Sequence, residues 1–376
     1  MARISKRQAK KVAKAVKKHP KTALVLAILF IIICVVGYFV YKNLFPKKEA
    51  KGAISFHFLE LGNQYAGDCV YVKAGDVDII IDGGSKPDSV IAINSYVSQY
   101  VTDRTIEYAI ITHAHEDHIA AFAGDSSYQS LFKYYEFETI IDFPKTESTS
   151  KTYQRYCEER ENEVEEGASH YTALQCYNNE DGAKREYELG ESITLEILYN
   201  YYYDHKASDE NDYSVCVQFT HGSNKYLFTG DLEEKGEKFL IEYNQLSEVD
   251  LYKAGHHGSN GSSCKEFLSV IKPKICVVTC VAGSVEYSQD LYVGTFPTQG
   301  FIDRISKWTE KVYVTSMVTG VKFDGDKYKN EGFTSMNGNV VIISGEQGVS
   351  VECSNNDTLL KDTDWFKEYR ECENWN

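Results

Sequence analysis

Residues 105–124 read TIEYAIITHAHEDHIAAFAG, a run of β-forming residues that ends in three histidines and two acids within six positions. Side chains alternate between the faces of a strand, so His113 and His115, two apart at a strand end, point to one side and can hold one ion. Asp117 and His118 follow where the chain turns into IAAFAG. They can face a second ion at the roughly 3.5–4 Å separation of two-metal sites. A single aspartate here would read as a helix cap. Four ligands in this spacing read as a metal centre.

Two later strand ends repeat the chemistry. Asp231 closes the apolar run KYLFTGD, and His256 and His257 follow DLYKAG. Carboxylates and imidazoles together suit hard to borderline divalent ions. The segment YSVCVQF and the run KYLFTGD read as a hairpin about HGSN. A turn near 222 and 223 pairs Ser214 with Asp231 and carries His221 roughly 26 Å away, at about 3.3 Å per residue. The same pairing brings His205, Asp209, Asn211 and Asp212 beside Asp231.

Beyond His257, GSNGSSCKEFLSVI reads as a loop entering a helix, with Ser263 and Glu266 in capping-box spacing. The free amides of such a loop and helix start suit an anionic group. Along the whole chain, two groups of largely antiparallel strands alternate with helices, which predicts an α/β or α+β protein with two packed sheets. No internal repeat or low-complexity tract interrupts this order.

The segments IIIDGG, THAHEDHIAAF, NDYS, LFTGDL and KAGHHGS, in this order, resemble the metallo-β-lactamase superfamily. The opening AGDCVYVKAGDVDIIIDGG and the HHGS motif are most similar to the hydrolase domain of ComEC-type competence proteins. The resemblance covers about residues 52–320 and implies a four-layer αββα sandwich with two divalent ions, zinc preferred and manganese the alternative. It implies His113, His115, Asp117, His118, Asp231 and His256 as ligands, with Asp231 bridging.

The resemblance further implies that Asp82 orients a ligand histidine and that Asn211 of NDYS neighbours the site. Ser259, within the loop expected to hold an anion, is a further candidate to neighbour the site or substrate. A ligand histidine that the wider superfamily has between the first cluster and the bridging aspartate has three candidates here, His170, His205 and His221, with His221 set aside by the hairpin geometry. Where ComEC-like sequences tend to carry a His-Pro pair, this chain has Phe296 before Pro297.

The N-terminus sets a location. Residues 22–41 hold no charge, about the length that spans a bilayer as a helix. Residues 1–21 carry nine Lys or Arg and no acid, which keeps this end cytoplasmic and places the rest outside the cell. The division expected is a basic tail (1–21), a signal anchor (22–41), a linker (42–51), a hydrolase domain (52–320) and a C-terminal hairpin and helix (321–376) packed on its edge.

Of the net −15, residues 1–51 contribute +12 and the remainder −27. So acidic an ectodomain disfavours long nucleic acid and favours a small-molecule or cell-envelope phosphodiester. Cys157 with Cys176, and Cys353 with Cys372, lie in polar segments where an oxidising exterior permits disulfides.

The expected function is a membrane-anchored extracellular hydrolase cleaving a phosphodiester or related ester by metal-bound hydroxide. Asp117 or Asp231 would orient the nucleophile, and His257 would position substrate or leaving group. The alternative is a noncatalytic envelope-binding protein that keeps its metal for structure.

Overall fold

The computed structural model describes residues 52–375. The tail, the anchor and the linker lie outside the described residues. Among the described residues no helix is long and apolar enough to cross a membrane.

The first strand shows how the layers are built. In β1 (Ala53–Phe58) the side chains alternate. Phe56 meets Phe219 and Tyr226 of the opposite sheet at ring centroids 5.2 and 4.6 Å apart. His57, pointing the other way, bonds Tyr96 Oη of helix α1 (Ser89–Val97) at 2.8 Å. One strand thus joins a sheet–sheet interface to an outer helix.

The first sheet continues through β2 (Val70–Ala74), β3 (Val77–Ile81), β4 (Thr105–Ile110), β5 (Glu136–Asp142) and β6 (Ser169–Thr172). On the other side of β1 it takes in β15 (Val340–Gly345) and β16 (Gly348–Cys353). The second sheet has the order β14-β13-β12-β11-β10-β9-β8-β7. Its strands are β7 (Glu186–Gly190), β8 (Ile193–Ile197), β9 (Val217–His221), β10 (Asn224–Phe228), β11 (Leu251–Lys253), β12 (Ile275–Ala282), β13 (Val312–Asp324) and β14 (Lys327–Ser335).

The fold is therefore mixed α/β with two sheets, as expected, and antiparallel pairs outnumber parallel ones, but each sheet also holds a run of four parallel strands. From β3 to β6, and from β10 to β13, neighbours run parallel. The parallel centre explains the near-continuous apolar runs: all eight residues of β12 are buried, because helices cover the face that an antiparallel sheet can leave to water.

On the second sheet Tyr226 points inward to Phe56 while Leu227, one residue on, joins the core under helix α5 (Glu234–Tyr243) with Leu240. That outer core also takes Phe267 and Leu268 of α6 (Lys265–Ile271) and Phe301 and Ile302 of α7 (Gln299–Ile305). Each such side chain contributes about 1.5–3 kcal/mol on burial. On the first sheet, α2 (Glu116–Ala123) and α3 (Lys151–Glu166) pack with Phe122 and Tyr156 in the core. A short α4 (Ala173–Asn178) follows β6.

The segment past 320 differs from one edge-packed hairpin and a helix. The position chosen as a division lies inside β13, whose partner β14 ends the second sheet, while β15 and β16 extend the first. Helix α8 (Asp364–Tyr369) then closes over the second core through Trp365 and Phe366. Alternation is weak along β13's exposed half, which is why the pattern did not show a strand crossing that point. All nine described cysteines are free, so neither cysteine pair is bridged.

Candidate metal centre

The ligand candidates meet where the parallel strands of both sheets end, the usual place for a site in such sheets. Beyond β3, Asp82 takes a left-handed φ of 60°. This turns its carboxylate back on the next strand end, where Oδ1 accepts from Thr112 N at 2.8 Å and Oδ2 from Thr112 Oγ1 at 2.9 Å. Asp82 Oδ2 also bonds His118 Nδ1 at 2.8 Å, the orienting contact that the resemblance implied. Gly83 is required beside it: a Cβ there would meet Phe122 Cδ2 at 2.5 Å, so only glycine lets α2 rest on this turn.

Past β4, His113 is fully buried, with Nδ1 3.1 Å from Thr112 Oγ1 and Nε2 3.0 Å from His115 Nδ1. Period two holds, and both rings do face one side. His115 is the residue before α2, whose first turn carries Glu116 and Asp117, acids that suit the positive end of a helix. His118, one turn in, points its Nε2 at Asp231 Oδ2, 3.2 Å away.

Asp231 follows β10, and its backbone amide donates to Ser214 Oγ at 3.0 Å, the side-by-side placement expected of the hairpin. Beyond β11 the chain enters a turn in which His256 and His257 both take left-handed φ values, 45° and 52°. This double reversal drives His257 inward. It is fully buried, Nδ1 donates to the Thr279 carbonyl at 2.9 Å, and Nε2 lies 3.4 Å from both Asp117 Oδ2 and Asp231 Oδ2.

His256, expected as the ligand, stays at the rim, with Nε2 4.0 Å from Asp231 Oδ2 and Nδ1 3.3 Å from Glu233 Oε1. The pair has exchanged the places that extended backbone would have given it.

The donor sets within 4.8 Å are His113, His118 and Asp231; Asp117, His118 and His257; Asp68, Asp82 and His118; and Asp68, Asp231 and His257. Asn211 is buried near the rim, its Nδ2 3.5 Å from His256 Nδ1. Ser259 is buried and bonds within its own loop, to Gly261 N at 3.1 Å.

The two amides just before α6 are not free for an anion. Glu237 of α5 accepts from Ser263 N at 2.5 Å and Cys264 N at 2.7 Å, and Cys264, not Ser263, is the residue before the helix. None of the three further histidines reaches the cluster. His170 bonds Asp142 at 2.8 Å, His205 stacks on Tyr201, and His221 bonds Ser344 Oγ at 2.9 Å.

Two residues that the sequence reading did not single out lie at the centre. Asp68 is buried, with Oδ1 bonded to Thr279 Oγ1 and 3.3 Å from His257 Nδ1. Lys253, the last residue of β11, pairs with it. The sequence carries a signal for each: an acid in AGDC, and a lysine in the strand-like DLYKAG. At the rim, Tyr287 donates to Asp117 Oδ2 at 2.9 Å and stacks on Phe296 at 5.2 Å. Phe296, standing where ComEC-like sequences have histidine, presents an apolar ring 5.9 Å from His256 and 6.1 Å from His257.

The electrostatics are those of a cavity short of positive charge. Burial opposes ionisation of Asp117, yet the His257 and His118 rings outweigh it and hold the carboxyl below its usual range. Burial likewise works against protonated imidazole at His257, but Asp231 and Asp68 push it up to about 10. His118 is raised in the same way, against its burial, by Asp231 and Asp82. His113 moves down, first from burial and then from His118. Protons on imidazoles answer a demand that divalent ions would meet. Consistent with this, the buried Nε2 atoms of His118 and His257 lack hydrogen-bond partners. The nitrogen and oxygen donors fit such ions.

The sequence model of the metallo-β-lactamase superfamily matches residues 62–124. The chain is 26% identical over 179 residues to ComE operon protein 3 of Bacillus subtilis, covering 47% of this chain and 20% of that one. It is 35% identical over 77 residues to competence protein ComA of Neisseria gonorrhoeae, covering 20% and 11%. To recombination protein 2 of Haemophilus influenzae it is 31% identical over 70 residues, covering 19% and 9%. The chain thus spans a fifth or less of the length of these relatives. They are consistent with the ComEC-type resemblance that the motifs carry.

Proposed function

We propose that this chain is a metal-dependent hydrolase of a phosphodiester or related ester, with two divalent ions held by His113, His115, Asp117, His118, Asp231 and His257. The observation that carries this reading is the convergence on Asp231 Oδ2 of His118 Nε2 at 3.2 Å and His257 Nε2 at 3.4 Å, both buried without hydrogen-bond partners. Zinc is the first expectation and manganese the second.

When bound, such ions acidify a water and offset the negative charge that develops at the reacting centre. The protein supplies the rest. Asp117 is held ionised and would orient the attacking water, while Tyr287 Oη, its present donor, fixes its orientation. Asp82 and the Thr279 carbonyl lock the rings of His118 and His257 through their Nδ1 atoms. Phe296 walls the rim and narrows access for bulk water.

The acidic composition of residues 52–376 favours a small or envelope-derived diester over long DNA. We further propose that residues 22–41 anchor the chain and leave the hydrolase domain outside the cell. Full-length protein in detergent, loaded with zinc or manganese, should hydrolyse bis(p-nitrophenyl) phosphate and leave a chromogenic β-lactam intact, and Asp231→Ala should abolish turnover. Phe296 in place of a histidine favours one other reading, a binding protein with structural metal. Two bound ions without turnover on a broad ester panel would select it.

A further inference from the structure

Lys253 and Arg370 are the buried lysine and arginine side chains among the described residues, and of the two only the lysine touches the ligand cluster. It is 3% exposed. An ammonium in such a place costs several kcal/mol unless paired. Its Nζ pairs with Asp68, donates to the Gly230 carbonyl at 3.3 Å, and stands 3.6 Å from Asp231 Oδ1.

The two oxygens of Asp231 therefore have different surroundings. Oδ1 faces the lysine, and Oδ2 faces His118 and His257. A carboxylate with both oxygens free can chelate one ion or put one oxygen on each of two. We propose that Lys253 is a positioning residue whose ammonium, facing Oδ1 of Asp231 from 3.6 Å without a hydrogen bond to it, holds the carboxylate with Oδ2 toward the histidines, as the oxygen that would serve the ions. Asp68 steadies the ammonium from the first sheet, since it precedes β2 while Lys253 ends β11. The inference rests on the two-ion reading above and adds how that reading's bridging ligand is aimed.

The test is a cobalt(II) titration of the full-length chain, followed by visible absorption and by magnetic coupling between the ions. Wild type should take up two coupled ions. Lys253→Met should weaken the second ion at least tenfold and lose the coupling. The double variant Asp68→Asn, Lys253→Met leaves no buried unpaired acid at position 68 and tests the same point if the single variant does not fold. It should show the same loss.

Two ions bound within twofold of wild type, with coupling unchanged, in either variant would overturn the inference while leaving the metal centre intact. Recovery in the double variant would likewise overturn it, by showing that the lysine serves Asp68 only. A wild type that binds no second ion would remove the two-ion reading and this inference together.

Discussion

Asp231 Oδ2 and His257 Nε2 lie 3.4 Å apart and come from the ends of two adjacent parallel strands, β10 and β11. His256, one residue earlier, is 4.0 Å from the same oxygen and faces Glu233 instead. Ligand identity is therefore decided by one turn of backbone. His257→Ala should reduce bound metal from two ions to one or fewer, whereas His256→Ala should retain both. Metal content by atomic emission on the two purified variants checks this.

The glycine before Asp231 holds that turn. Gly230 has a φ of 53°, and a Cβ there would lie 2.7 Å from Ser214 Oγ, which receives the Asp231 amide, and 2.9 Å from Thr112 Cβ. Gly230→Ala should cost about 1–3 kcal/mol from the backbone conformation and displaced Ser214. It should also weaken metal binding more than tenfold. Urea unfolding and a metal titration read the two effects separately.

A buried histidine far from the metals gives the fold its own acid sensitivity. His57 bonds Ser55 Oγ and Tyr96 Oη, both at 2.8 Å, and burial lowers its pKa from 6.5 to about 4. Between those values the unfolded chain binds more protons than the folded one, so stability rises with pH through this window and is lost as pH falls through it. The loss between pH 7 and 5 should be about 2 kcal/mol. His57→Gln should remove that part of the slope in urea denaturation curves taken at both pH values.

Arg370 binds one loop mainly through its backbone, with one further bond to the Thr295 hydroxyl. Its guanidinium donates to the carbonyls of Leu291, Tyr292, Thr295 and Pro297 and lies over the Trp365 ring. Arg370→Met removes the guanidinium from all of these acceptors and should cost about 3 kcal/mol. Because the loop carries Phe296, limited proteolysis should cut within residues 285–296 faster in the variant than in wild type.

Where local chemistry is periodic, the sequence was legible. The strand leading to His113 and His115, the helix after them, the hairpin setting Ser214 by Asp231, and Asp82 just beyond β3 all follow from alternation and turn residues. What escaped depended on left-handed backbone or on distant chain. No pattern announces that His256 and His257 both take positive φ, so their roles were exchanged. Glu237 fills the amides expected for an anion from a helix whose own sequence shows an ordinary polar face. Asp68 and Lys253 are 185 positions apart and become partners only when the two sheets meet.

The placement of β1 between β2 and β15 has a consequence for how the protein is made. Residues 53–58 leave the ribosome long before the strand that covers their outer edge, 340–345, is synthesised. Until then β1 presents an open row of amides and carbonyls beside a half-built core, a state prone to pairing with other chains. Truncation before residue 340 should therefore yield aggregates even though every candidate metal ligand has already been translated.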